Sequence, residues 1–300
     1  MKNPSVSLPE FPLAAARLRD YWALSKPRVT LLVWATTLAG VVLAANIASI
    51  SVSIPLLFNA LIGSWLVIAS ANVLNQVLEV APDSRMNRTR NRPIPAGRVG
   101  QTEGLALGVV WGVLGLAQLA LFVNLLTAAL GALSIALYVF AYTPLKPRTH
   151  FATAIGAIPG AIPPLAGWTA VTGSIEVTGV ILFAIQFLWQ FPHFWAIAWL
   201  VREDYAAAGF KMLPFPEADG RATAMACLQY AAATSPFAMA LALGLARPWI
   251  YALPAVALSV WFVVCANRFR NAPDEARARK LLKATILYLP LLLLAAIAAS

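Results

Sequence analysis

Stretches of about 20 almost uninterrupted apolar residues recur along nearly the whole of this 300-residue chain. A helix of that length rises ~30 Å, the thickness of a bilayer's hydrocarbon core. Inside lipid every backbone amide must bond within the protein, so runs of this kind span as helices. Nine can be placed, at about 27–47, 54–80, 102–122, 125–142, 151–171, 177–200, 222–243, 248–267 and 281–299. The sequence therefore predicts an all-α polytopic membrane protein, with a polar lead over 1–25 and one transmembrane domain over 26–300.

The net charge of +10 invites a nucleic-acid reading, and the distribution of the charge answers it. Of the 22 Lys and Arg, all but Arg247 fall on one side of the nine runs. That is the positive-inside pattern. It predicts a cell (inner) membrane protein with a cytoplasmic N-terminus, and it names the lipid bilayer as partner, with no nucleic acid. The lead has no apolar signal core, and Glu10 and Asp20 argue against a transit peptide. Its LAAARLRDYWALSK segment is expected to lie flat at the interface with Tyr21, Trp22 and Leu24 turned to lipid. Cys227 and Cys265 fall inside spans, which leaves no disulfide framework and no CxxC metal site. Span 151–171 carries Gly156, Pro159, Gly160, Pro163, Pro164 and Gly167, which predicts a broken helix lining an enclosed cavity.

Candidate chemistry gathers at 72–98, NVLNQVLEVAPDSRMNRTRNRPIPAGR. Asn75, Glu79 and Asp83 stand four apart, so a helix would stack them on one face. Pro82 is expected to kink or stop that helix. Arg85, Arg88, Arg90, Arg92 and Arg98 follow. Carboxylates backed by guanidinium forks suit Mg²⁺ holding a polyphosphate. An ordinary juxtamembrane loop, its acids paired with its arginines, would read the same way. Asn72 and Asn75 lie within the last turns of span two, as phosphate or water ligands or as interhelical hydrogen bonds. Arg88 and Arg92, if helical, clamp a diphosphate; otherwise they anchor the loop. Lys146 and Arg148 form a second basic pair, and Tyr142 is either a cavity wall or an interfacial aromatic. Span six ends in Glu203 and Asp204, four helices after Glu79 and Asp83, so the two acidic pairs could face one another across a central cavity and share Mg²⁺ on one diphosphate. Within that span His193 follows Pro192 and suits haem ligation, proton transfer or a structural hydrogen bond. Trp189, Phe191, Phe194, Trp195 and Trp199 either wall a flat ligand or pack. His150, at a loop edge, is expected to be solvated. The chain has no GxxxxGK[ST] phosphate loop and no HExxH pair.

The stretch NQVLEVAPDSRMNRTRNRPIPAG resembles the first signature of the UbiA superfamily of intramembrane prenyltransferases, Asn-x-x-x-Asp-x-x-x-Asp, with Glu79 in place of the middle acid. YTPLKPRT at 142–149, GAIPGAIPPLAGW at 156–168 and QFPHFWAIAWLVREDYAAAGFKML at 190–213 are similar to the haem-farnesylating branch, and the likeness runs from about 22 to 290. The resemblance implies a UbiA-like bundle around a central cavity, with the active site at the cytoplasmic face. It implies farnesyl diphosphate held by Mg²⁺ on Glu79, Asp83, Glu203 and Asp204, with Asn75, Arg88, Arg92, Lys146 and Arg148 neutralising the leaving diphosphate. It implies haem b as acceptor substrate and haem O as product, with a haem A synthase or oxidase assembly factors as partners. His193 stands where many members carry the first acid of their second motif, which points it toward haem rather than metal. Acceptors of the wider superfamily, a quinone precursor or chlorophyllide, give the second enzyme reading. A transporter or channel gives the third, but charges here gather at one membrane face rather than along a path through it.

Overall fold

A computed structural model describes residues 10–215 and 219–300. Among them the chain is helical and contains no strand. In order the elements are α1 (Glu10–Leu24), α2 (Pro27–Ile47), α3 (Ile54–Leu78), α4 (Val80–Arg85), α5 (Gln101–Phe122), α6 (Leu125–Ala136), a π-helical segment (Leu137–Tyr142), α7 (Thr143–Leu145), α8 (Ala152–Thr172), α9 (Val177–Leu200), α10 (Arg202–Ala208), α11 (Arg221–Ala240), α12 (Pro248–Asn271) and α13 (Glu275–Ala299). Nine helical stretches among the described residues are long and apolar enough to cross a membrane, and all nine coincide with the expected runs.

Local chemistry sets the ends. Pro27, Pro55 and Pro248 occupy first-turn positions, where a missing amide proton costs nothing. The Ser53, Asn124 and Asp274 side chains accept from the amides of Leu56, Thr127 and Arg277. Gly173 closes α8 and Gly209 closes α10, both in the left-handed region.

The bundle packs α2 along α8, α3 along α5, and α9 among α8, α11 and α13. At the α2–α8 crossing a Cβ on Gly40 would overlap the Pro164 carbonyl, and one on Gly167 would overlap the Thr37 carbonyl. Two glycines therefore let the backbones touch there.

The proline-rich α8 departs from expectation. It is continuous and the most enclosed of the spans. Pro163 and Pro164 deprive the carbonyls of Pro159 and Gly160 of their usual donors. Ser134 Oγ donates to the first at 3.4 Å and Gln186 Nε2 to the second at 3.2 Å. Neighbouring helices supply the missing bonds, so the helix has no reason to break.

The lead also differs from expectation. Its residues before 10 lie outside the described region. Trp22 is exposed and stacks on Trp65, but Leu24 is fully buried against Val73, Val77, Ile94 and Val99. The Tyr21 hydroxyl donates to Glu103 at 2.5 Å, which raises its pKa, with burial adding to the effect. This helix docks on the bundle instead of lying free on lipid.

Candidate functional site

At the α3–α4 junction the main chain itself aligns the acidic face. The Glu79 amide donates to the Asn75 carbonyl at 3.0 Å, and the Asp83 amide to the Glu79 carbonyl at 2.8 Å. Helix α3 stops at Leu78 because Pro82 offers no donor to that carbonyl, and α4 restarts with Pro82 in its first turn. Asn75, Glu79 and Asp83 consequently line one cavity of about 230 Å³.

Burial makes the charges consequential. Asp83 is 1% exposed and Glu79 4%. Arg92 Nη1 donates to Asp83 Oδ2 at 2.7 Å, while the buried Asp83 Oδ1 has no hydrogen-bond partner among the described residues. Lys146 Nζ reaches both Glu79 oxygens, at 2.7 and 3.1 Å. Burial alone would push the Lys146 ammonium down, but Glu79 overrides it and holds the pKa above its ordinary value. The same ammonium lies over the Tyr142 ring at 4.5 Å and the Phe210 ring at 5.6 Å.

The π-helical segment supplies the facing wall. Tyr138 and Tyr142, four apart in it, both line the cavity. Asn75 Nδ2 donates to Thr143 Oγ1 at 3.0 Å, and Thr143 in turn donates to the Tyr138 carbonyl. Asn72 also borders the cavity, but its amide is committed to Ser25 and Thr30 of the α1–α2 junction. Arg88 and Arg92 lie in non-helical turns and still both line the cavity, with Arg88 4.6 Å over the Tyr205 ring. Phe194 of α9 lines it as well.

Other expected residues stand elsewhere. Helices α4 and α10 do pack together, as the spacing of the two acidic pairs suggested. Glu203 is nevertheless exposed, and Asp204 Oδ1 accepts from Asn87 at 3.4 Å. Neither borders the cavity, and no group of three or more His, Cys, Asp or Glu among the described residues is arranged to hold a metal. Arg148 is exposed, its carbonyl accepting from Lys211. His193 and Trp189 turn to α13. Trp195 and Trp199 are buried in packing, and His150 bonds the Leu213 carbonyl at 2.7 Å.

Sequence reasoning missed Lys26. In the sequence it is only one of the 21 Lys and Arg on one side of the spans, yet it lines the cavity and donates to Asn75 Oδ1 at 3.2 Å. Desolvation in the wall, with Arg92 and Lys146 nearby, pushes its pKa down to about 7. Its backbone is left-handed (φ 50°), a costly conformation for lysine. No local signal singles it out: Arg247 stands in the same way directly before the span-opening Pro248 and does not line the cavity. Tyr138, Tyr205, Phe210 and Met212 also line the cavity unannounced.

The fold and the cavity define an intramembrane helical protein with a cation-rich, aromatic-walled chamber at one end of its bundle. The UbiA prenyltransferase family model matches residues 33–289. Protoheme IX farnesyltransferase of Solibacter usitatus is 41% identical over 281 residues, covering 92% of this chain and 96% of that one. Its counterpart in Koribacter versatilis is 42% identical over 288 residues, covering 94% and 93%. Among solved structures, a digeranylgeranylglyceryl phosphate synthase superposes with TM-score 0.73 at 16% identity, covering 95% of this chain and 98% of that chain. A UbiA homolog from Archaeoglobus fulgidus bound to GPP and Mg²⁺ gives 0.66 at 14% identity, covering 93% and 99%. The chain belongs to the UbiA prenyltransferase family.

Proposed function

We propose that this protein transfers the farnesyl group of farnesyl diphosphate to a vinyl group of haem b, with addition of water, giving haem O and diphosphate. The observation that carries the reading is the cavity itself, where Asp83 and Glu79 are buried among Lys26, Arg88, Arg92 and Lys146. Four cations lining one cavity against two buried carboxylates suit a polyanion, and guanidinium forks match phosphate oxygens. The name of the relatives above supports farnesyl and haem as the two substrates.

The donor's C1–O bond breaks with its electron pair leaving on the diphosphate. The vinyl π pair forms the new C–C bond, and the resulting cation takes hydroxide from water, whose proton is released. Lys26, Arg88, Arg92 and Lys146 stabilise the charge developing on the leaving oxygen with donors already in place. The Tyr138, Tyr142, Phe194 and Phe210 rings line the space for the allylic cation. Asp83 Oδ1, buried without a partner among the described residues, and Glu79 are a donor set that fits Mg²⁺. When bound, that ion supplies further neutralisation of the diphosphate. Glu203 is exposed and Asp204 is held by Asn87, both outside the cavity, so we assign neither a contact with metal. The cationic end faces the cytoplasm of a cell membrane, on the distribution of Lys and Arg. A haem A synthase or oxidase assembly factor would take the product onward.

Purified protein in nanodiscs, given farnesyl diphosphate, Mg²⁺ and haem b alongside a quinone precursor, tests the assignment by mass spectrometry. Haem heavier by a farnesyl and a hydroxyl group is expected. Farnesylation of the quinone precursor with haem unchanged overturns the acceptor.

A further inference from the structure

A second polar cluster stands where α9 turns from the cavity toward α13, and the site above makes no use of it. His193 is half-buried there, directly before the cavity-lining Phe194, the two rings edge to face at 5.5 Å. Its Nδ1 lies 2.8 Å from the Oγ1 of Thr285 on α13. That hydroxyl has a single proton, and it is directed to the Leu282 carbonyl at 2.6 Å. With that proton on the Leu282 carbonyl, Thr285 is assigned as the acceptor from the imidazole. The hydrogen sits on Nδ1, and Nε2 keeps a bare lone pair with no hydrogen-bond partner among the described residues.

Trp189 fixes the plane of the ring. It stacks on His193 at 4.9 Å and 19°, and its indole donates to the Thr285 carbonyl at 2.9 Å. One threonine therefore holds both the imidazole and the indole that covers it. The ring is held at Nδ1 and left open at Nε2. Metal-binding imidazoles are arranged in this way, an acceptor on one nitrogen setting the tautomer and aiming the other.

We infer that Thr285 is a positioning residue for the haem substrate: by accepting the Nδ1 hydrogen of His193 it presents Nε2 as an axial ligand to the haem iron, beside the cavity that Phe194 lines. The inference rests on the proposed function, which makes haem the acceptor.

Ferric haem b titrated into the full chain in nanodiscs, followed by absorption and electron paramagnetic resonance, tests it. The wild type should show an imidazole-ligated iron. His193→Gly should lose that signature, and added imidazole should restore it. Thr285→Val keeps the shape and removes the acceptor, so haem should bind about 10- to 100-fold more weakly. Thr285→Ser should recover wild-type binding. An unchanged spectrum and affinity in His193→Gly overturns the ligation, and a Thr285→Val protein that binds as the wild type does overturns the positioning role. The two readings fail separately. Ligation through His193 with no farnesyl transfer to haem overturns the proposed function alone. Transfer to haem by a protein showing no axial imidazole overturns this inference alone.

Discussion

Breaking the Glu79–Lys146 pair should be far more damaging than removing it. The two side chains are 6% and 10% exposed and meet at 2.7 Å. Lys146→Met leaves a buried carboxylate without its counter-ion, and Glu79→Gln leaves a buried ammonium facing an amide. Each single change should cost about 3–5 kcal/mol, because an uncompensated charge stays behind. The double variant Glu79→Gln/Lys146→Met leaves neither charge unpaired, so it should cost less than the sum by a coupling of roughly 2–3 kcal/mol, within the range for residues in contact. Unfolding by sodium dodecyl sulfate in mixed micelles, followed by tryptophan fluorescence, measures all four corners of the cycle. Singles that add without coupling would refute the premise that this pair is held out of water.

Lys26 carries charge below about pH 7 and loses it above. The kcat/KM for farnesyl diphosphate, which reports the free enzyme, should fall as pH rises through that value, and Lys26→Met should flatten this limb. The unfolded chain keeps the same proton up to the ordinary lysine value of 10.5, so between 7 and 10.5 this residue makes stability rise with pH. Gln186→Leu strips the Gly160 carbonyl of its donor and should cost about 0.6–1.7 kcal/mol in the same micelle assay. Gly40→Ala forces a methyl against the Pro164 carbonyl, so a loss of roughly 1–3 kcal/mol and a lower yield of monodisperse protein are expected.

The nine spans are legible because bilayer thickness imposes one length on every crossing helix, and length survives in sequence whatever the packing. The acidic face is legible for a similar reason: four-residue spacing is local, and the bonds from Asp83 to Glu79 and from Glu79 to Asn75 realise it directly. What depends on partners distant in sequence is not legible. The continuity of α8 rests on Ser134 and Gln186, two side chains on other helices. Glu203 and Asp204 have the right spacing after α9, but the helix breaks at Val201 and neither acid of α10 lines the cavity. Lys26 sits among charges that the positive-inside pattern already accounts for, so nothing local marks it as a cavity residue. The tautomer of His193 depends on Thr285, 92 positions away.

The central claim is that diphosphate departs in the cavity built by Asp83, Glu79 and their cations. Single-turnover formation of farnesylated haem in nanodiscs, comparing Asp83→Ala with Glu203→Ala, tests it most directly. Asp83→Ala should slow the step by about 10²–10³, the scale expected when one transition-state contact is lost. Glu203→Ala should retain the wild-type rate. Equal rates for the two variants, or a larger loss at Glu203, would contradict the account.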